Sequence, residues 1–353
     1  MAFRKRRGRL KRSRYEGGSS IKGTLYQEVF TSERGYLKTN VASDSTTGAK
    51  QSSGIWNLES VHTALSEFVP AGEHVFTLAG TTIDWVVPEK VTSVCILCVG
   101  GGEGGGVRYG GDGGSLSYIN DVPVTPGETL QVRAGFYGEG ANTTSSAAGT
   151  NGEDSYVSRS GTYIAHAYGG PAAGSSVVSA VAYGGGSGSS GAYIQGTYGA
   201  VYNGGGGGGA GGYSGAGGNG SYTTGMPGTG GGGGGGASWT TVGNNATTAY
   251  SYGRRGSAGG GVGIYGEGES GAGGSLNVSG NGGSGGSIAA TYYHGGDYGG
   301  GGAGGFSRAG GITGSYVGGN GAQGAVRIIW GEGRAFPSTN VDEASSDSNI
   351  STN

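Results

Sequence analysis

Short apolar runs separated by turn-forming residues fill the chain between residues 67 and 135. Residues 74–78, 83–87, 93–99, 115–122 and 130–134 are of strand length and rich in β-branched and aromatic side chains. They are bounded by Pro70-Ala71-Gly72, Pro88, the glycines from Gly100, and Pro126-Gly127, the punctuation expected of antiparallel strands. Two further pairs are predicted, 156–157 with 163–168 and 177–183 with 192–202. Near the C-terminus, Ala325-Val326-Arg327-Ile328-Ile329-Trp330 alternates, with Val326, Ile328 and Trp330 on one face and Arg327 and Ile329 on the other. Such a strand needs partners, and only the region before residue 200 offers them. The pattern predicts an all-β chain, an antiparallel β-sandwich. Ahead of it, Leu58, Val61, Leu65 and Phe68 fall at helical spacing, enough for two turns at a hinge.

Between the last two predicted strands lies a field that neither periodicity explains. Of the 110 residues from 201 to 310, 47 are glycine, in runs such as Gly204 to Gly209 and Gly231 to Gly236. Glycine loses the most backbone freedom on ordering, so helix and ordinary sheet are both disfavoured. What glycine permits is close packing of three-fold extended helices, as at the crowded axis of collagen. Aromatic and aliphatic residues interleaved with the glycines, among them Trp239, Tyr265, Ile288 and Tyr316, argue against a flexible linker. The field therefore predicts a polyglycine-II bundle inserted in the sandwich, held mainly by backbone pairing.

The resulting organisation is a basic arm and polar connector over 1–53, a hinge over 54–67 and the β-sandwich over 68–200. The glycine-rich bundle follows over 201–318, then a closing strand and tail over 319–340 and a flexible C-terminus over 341–353.

Charge changes this picture at one end only. The net charge is −2, but eight of the 21 Lys and Arg fall in the first 14 residues, leaving 13 against 23 acidic groups in the rest. These eight are Arg4, Lys5, Arg6, Arg7, Arg9, Lys11, Arg12 and Arg14. Such a run gains order only against an opposite field, an acidic protein surface or phosphates. The arm is accordingly a candidate attachment site, and the connector behind it a segment extended along another subunit.

Candidate chemistry is sparse. Cys95 and Cys98 are the only cysteines; three apart in a strand they point to opposite faces, which predicts two buried small hydrophobes rather than a redox or metal pair. Gly100-Gly101-Gly102-Glu103-Gly104 after an apolar strand invites a dinucleotide-binding reading, but the glycines that follow cannot supply the required helix. His62, His74, His166 and His294 show no ligand spacing, and no nucleophile-elbow or P-loop pattern occurs. The expectation is a non-enzymatic protein with no cofactor and no metal. No stretch is long and apolar enough for membrane insertion.

Three stretches carry a resemblance. Trp85-Val86-Val87-Pro88-Glu89-Lys90-Val91-Thr92-Ser93-Val94, running into Gly100-Gly101-Gly102, and Thr125-Pro126-Gly127-Glu128-Thr129-Leu130 resemble the opening strands of glycine-rich domains in phage tail and fibre proteins. Lys90 stands where that pattern has a turn Gly. The run from Gly324 through Trp330 to Thr339 is similar to the end of structural proteins from marine cyanophages and their relatives; Ala335 stands where Ser is usual. The resemblance implies a virion structural protein, in or on the tail, whose sandwich carries a polyglycine-II bundle with host-recognition loops at its end.

On that footing the leading expectation is a tail fibre or adhesin attaching the particle to its bacterial host. Its partners would be other virion proteins through the arm, a bacterial surface glycan or outer-membrane protein, and two further copies in a homotrimer. The alternative is a capsid decoration or tail-body component whose arm docks on the particle or binds packaged DNA. A depolymerising spike would need a carboxylate pair facing a sugar-sized cleft. Receptor contact is expected from the glycine-poor excursion 237–255, through Trp239, Tyr250, Tyr252, Arg254 and Arg255, and from a second loop carrying Tyr292, Tyr293 and His294. Flat aromatic faces with polar edges suit sugars and protein loops alike, and the arginines suit carboxylate or phosphate.

Overall fold

The computed structural model describes residues 23–30, 36–43, 69, 71–107, 109–141, 149–170, 184–186, 201–202, 204–221, 256–274, 278–287, 293–305, 307–308 and 317–337. The chain divides into two compact units, Met1–Phe68 and Val69–Asn353. In the first, β1 (Gly23–Phe30) pairs antiparallel with β2 (Tyr36–Ser43), from Gly23 opposite Ser43 to Phe30 opposite Tyr36. The connector is thus a β-ribbon here rather than a plain extended strand. In that register Leu25 lies opposite Val41 and Val29 opposite Leu37. The predicted hinge helix at Leu58 to Phe68 lies outside the described residues.

The second unit is all-β in its described residues. Its strands are β3 (Gly72–Phe76), β4 (Thr82–Val86), β5 (Ser93–Val99), β6 (Leu116–Pro123), β7 (Thr129–Arg133), β8 (Ser155–Arg159), β9 (Thr162–Ala167), β10 (Gly184–Gly186), β11 (Val201–Tyr202), β12 (Ser307–Arg308) and β13 (Ala325–Trp330). They form a five-stranded antiparallel sheet, β10-β6-β5-β13-β3, and a four-stranded antiparallel sheet, β4-β7-β8-β9. β11 and β12 make a small separate ladder. The closing strand takes an interior place: Arg327 of β13 lies opposite Leu97 of β5 on one side and Val75 of β3 on the other.

One apolar cluster fills the space between the sheets, with Val94, Ile96, Cys98, Val326 and Ile328 meeting Trp85, Leu130, Val132 and Val157. Trp330 closes its edge, its ring 5.9 Å from that of Trp85. A second cluster lies on the opposite face of the five-stranded sheet. There Cys95, Leu97, Val99 and Ile329 are covered by Ala210, Tyr213, Val262, Ile264 and Phe336, so the glycine field supplies a third layer. Burial on both faces explains why β5 reads as a continuous apolar run instead of an alternating one. It also separates the cysteines as expected, Cys98 into the inter-sheet core and Cys95 into the outer cluster. Burial pushes both thiols above their ordinary range.

Beyond Val99 the backbone changes period. Gly100, Glu103 and Gly106 donate to the carbonyls of Ser115, Asp112 and Tyr109; Gly101 and Gly104 donate to Glu153 and Thr150; Gly102 and Gly105 donate to Ala322 and Gly319. Successive amides reach three different neighbours and every third returns to the same one, the repeat of a three-fold extended helix. In each pairing donor numbers rise as acceptor numbers fall, so all three neighbours run antiparallel. The carbonyls of the same segment accept from Gly138 and Ala141, from Gly302 and Gly305, and from Gly170. A single glycine-rich segment is therefore ringed by six others.

The six-fold ring grows directly out of the sandwich. Segments 100–106, 135–141 and 168–170 continue β5, β7 and β9, while 109–115, 149–154 and 317–324 lead into β6, β8 and β13. In the sandwich, side chains hold packed sheets about 10 Å apart. Past Gly100 no side chain intervenes, and the two layers close until Gly101 N bonds Glu153 O at 2.9 Å. Segment 204–212 extends the pattern, with Gly207 and Ala210 donating to Ser257 and Gly260, Gly208 and Gly211 to Gly111 and Gly114, and Gly209 and Gly212 to Gly218 and Gly215. The glycine field and the turns of the sandwich thus share one hydrogen-bonded lattice. A Cβ at Gly102, Gly105 or Gly204 would meet a backbone oxygen of Gly300, Ala303 or Gly304 at under 3.0 Å.

Candidate functional site

The buried polar groups of the body are mostly committed to the fold. Arg327, fully buried on the outward face of β13, donates Nη1 to the Ile264 carbonyl at 3.0 Å, lies 4.4 Å from the centre of the Tyr265 ring and pairs through Nη2 with Glu73. Arg334 reaches the same Glu73 carboxylate at 3.3 Å and the Gly72 carbonyl at 2.7 Å. Two cations sharing one acid bolt the glycine field and the C-terminal segment to the edge strand β3. Tyr213 does similar work without charge: its hydroxyl donates to Gly263 O and accepts from Gly266 N, both at 3.0 Å.

Two carboxylates sit differently. Burial in the lattice pushes the Glu103 carboxyl up to about 7, with Asp112 adding repulsion, although the Asp112 amide donates to it at 2.9 Å. Burial would raise Asp154 as well, but its 2.8 Å hydrogen bond with His166 and the amide of Gly169 hold it below the ordinary range. His166 is in turn stacked on Tyr163, with centroids 4.5 Å apart.

A cleft of about 450 Å³ opens on the side of the lattice, where segments 135–141, 293–297 and 319–323 meet, a volume within the range of small-ligand sites. His294 Nδ1 accepts from the Asn320 amide at 2.9 Å, so in the neutral ring Nε2 carries the hydrogen and is left to donate. Asn320 Oδ1 accepts from Gly140 N at 2.9 Å, which fixes the orientation of its amide group and leaves its NH₂ as donor. The Asp297 amide donates to Ser287 Oγ at 2.8 Å. Tyr137, whose ring stacks on Phe136 at 4.2 Å, and Gln323 complete the polar and aromatic wall.

Of the residues expected to meet a receptor, Tyr293 and His294 are described. Both are exposed, and His294 lines the cleft. Trp239, Tyr250, Tyr252, Arg254, Arg255 and Tyr292 lie outside the described residues, as do Arg4, Lys5, Arg6, Arg7, Arg9, Lys11, Arg12 and Arg14 of the arm. Tyr137, Asp297, Asn320 and Gln323 were not singled out by sequence. They are up to 186 residues apart in numbering and meet only through the lattice, so no local spacing could reveal them. Among the described residues, no group of three His, Cys, Asp or Glu could hold a metal ion, and no helix is long and apolar enough to cross a membrane.

The fold and its lattice define a class, a β-sandwich whose glycine turns have been drawn into a polyglycine bundle. Comparison with known families gives that class its family: the chain belongs to the family described as "Glycine-rich domain", whose model matches residues 77–331. No curated protein matches the chain.

Proposed function

We propose that this chain is a non-enzymatic structural protein of a bacteriophage particle, a tail-fibre-like adhesin whose body presents a binding surface to the bacterial host. The observation that carries this reading is the lattice. A glycine bundle bonded to all sides through its backbone needs few side chains for cohesion, and Tyr265 and Tyr293 stand exposed on it. Rigid scaffolds with binding residues at their margins are a common division of labour. The likeness of 85–102, 125–135 and 324–339 to phage tail and fibre proteins supports the same reading. The use of Glu73, Asp154 and Arg327 as fold ties supports a non-catalytic role.

In this account the arm from Arg4 to Arg14 fastens the chain to an acidic surface of the particle. Immunogold labelling of intact particles with antibody to residues 69–337 tests the proposal. Label confined to tail tips or fibres is the expected result. Label on the capsid shell would favour the decoration alternative, and particles without label would refute both. Replacing the eight arm cations with Gln should abolish incorporation; unchanged incorporation would refute the fastening role.

A further inference from the structure

We propose that the lattice cleft formed by Tyr137, His294, Asp297, Asn320 and Gln323 is a binding site for a neutral hexose residue. Its inventory is specific. The His294 Nε2–H and the Asn320 NH₂ are donors whose other atoms are already fixed by 2.9 Å bonds to backbone amides. Asp297 supplies a carboxylate acceptor, and its own amide is tied to Ser287 Oγ at 2.8 Å. Gln323 offers both a donor and an acceptor. Tyr137 adds a flat apolar face with a polar edge.

Adjacent hydroxyls on a sugar ring present paired donors and acceptors, and a carboxylate beside an amide answers such a pair in both directions. The lining contains one carboxylate and neither Lys nor Arg. A phosphate or an acidic sugar would meet repulsion without a counter-charge, so the ligand is a neutral sugar. The wall is also preorganised: its three segments are cross-linked by Gly295 N to Asn320 O at 2.9 Å, Gly321 N to Gly138 O at 2.9 Å and Gly140 N to Asn320 Oδ1 at 2.9 Å. Little conformational freedom is lost on binding, which favours affinity for a small ligand.

The proposal rests on the attachment reading only for the source of the sugar, a host surface glycan. Purified full-length protein should be titrated by saturation-transfer NMR with methyl glycosides of glucose, galactose and mannose, with methyl glucuronide and inorganic phosphate in parallel. At least one neutral glycoside should bind with a Kd of about 1–10 mM, and the two anions at least about tenfold more weakly. Asp297→Asn, which preserves shape, and Tyr137→Ala should each weaken binding by about tenfold or more. No neutral binding up to about 50 mM, tighter binding of either anion, or unchanged affinity in Asp297→Asn would overturn the proposal. Should Tyr137→Ala unfold, Asp297→Asn alone decides. Because the titration uses isolated protein, immunogold failure would remove the attachment reading while leaving this test intact.

Discussion

Replacing Gly105 by alanine adds one methyl group at the centre of the lattice. The new Cβ would press on the carbonyl of Ala303 and come within 3.0 Å of Gly304 N, so segment 302–305 must retreat to restore ordinary contact. That segment is held to the central one by Gly302 N to Glu103 O at 2.9 Å and Gly305 N to Gly106 O at 2.8 Å. A retreat of about 1 Å takes both bonds past hydrogen-bonding range. Each broken bond strands buried groups at a cost of about 1–3 kcal/mol, so the pair costs about 4 kcal/mol. At a surface site Gly→Ala would gain about 0.4–1 kcal/mol by restricting the unfolded chain, so even the sign is diagnostic. Urea unfolding of wild type and variant gives the difference, with Gly268→Ala as control. There the nearest atom to a new Cβ is Ser284 Cα at 3.1 Å, and a change within about 1 kcal/mol is expected. A Gly105→Ala midpoint indistinguishable from wild type would refute the packing argument.

Glu73→Ala leaves the buried Arg327 guanidinium without its carboxylate, and because Glu73 is one-third exposed the loss should sit near the low end of the roughly 3–5 kcal/mol typical of a broken buried pair, read by chemical denaturation. For Glu103 the folded value of about 7 lies above the ordinary 4.5. Stability is then full below about pH 4.5 and falls by roughly 3 kcal/mol as pH rises through 7, whereas Glu103→Gln should flatten that part of the profile. Asp154 works in the opposite sense: held low by His166, it contributes stability that is lost on acidification, and Asp154→Asn should reduce the acid dependence. Tyr213→Phe strands Gly263 O and Gly266 N and should cost about 1–3 kcal/mol, measured by thermal unfolding.

The sandwich was legible because side chains record it. The alternation of β13 anticipated its two faces, since Val326, Ile328 and Trp330 belong to the inter-sheet core while Ile329 lies in the outer cluster. Lys90, in the turn between two predicted strands, adopts a left-handed φ of 67°, a conformation that favours glycine. The β1–β2 ribbon was hidden because Leu25, Tyr26, Val29 and Phe30 come in adjacent pairs rather than alternating with polar residues, and alternation is the signal that marks a half-buried strand. The glycines at 100–106 gave no hint of their place at the lattice centre, since a residue without a side chain leaves no face to read. The cleft was invisible for the same reason: Tyr137 and Asn320 are brought together by backbone bonds between segments that carry no pattern.

Amide hydrogen exchange of residues 100–106 and 301–305 tests the lattice most directly. If the sandwich strands continue into a backbone-bonded lattice, these amides should be protected to the same degree as those of β5 and β13, opening only with global unfolding. Exchange at the rate of an unstructured chain in either segment, with β5 and β13 still protected, would contradict the account.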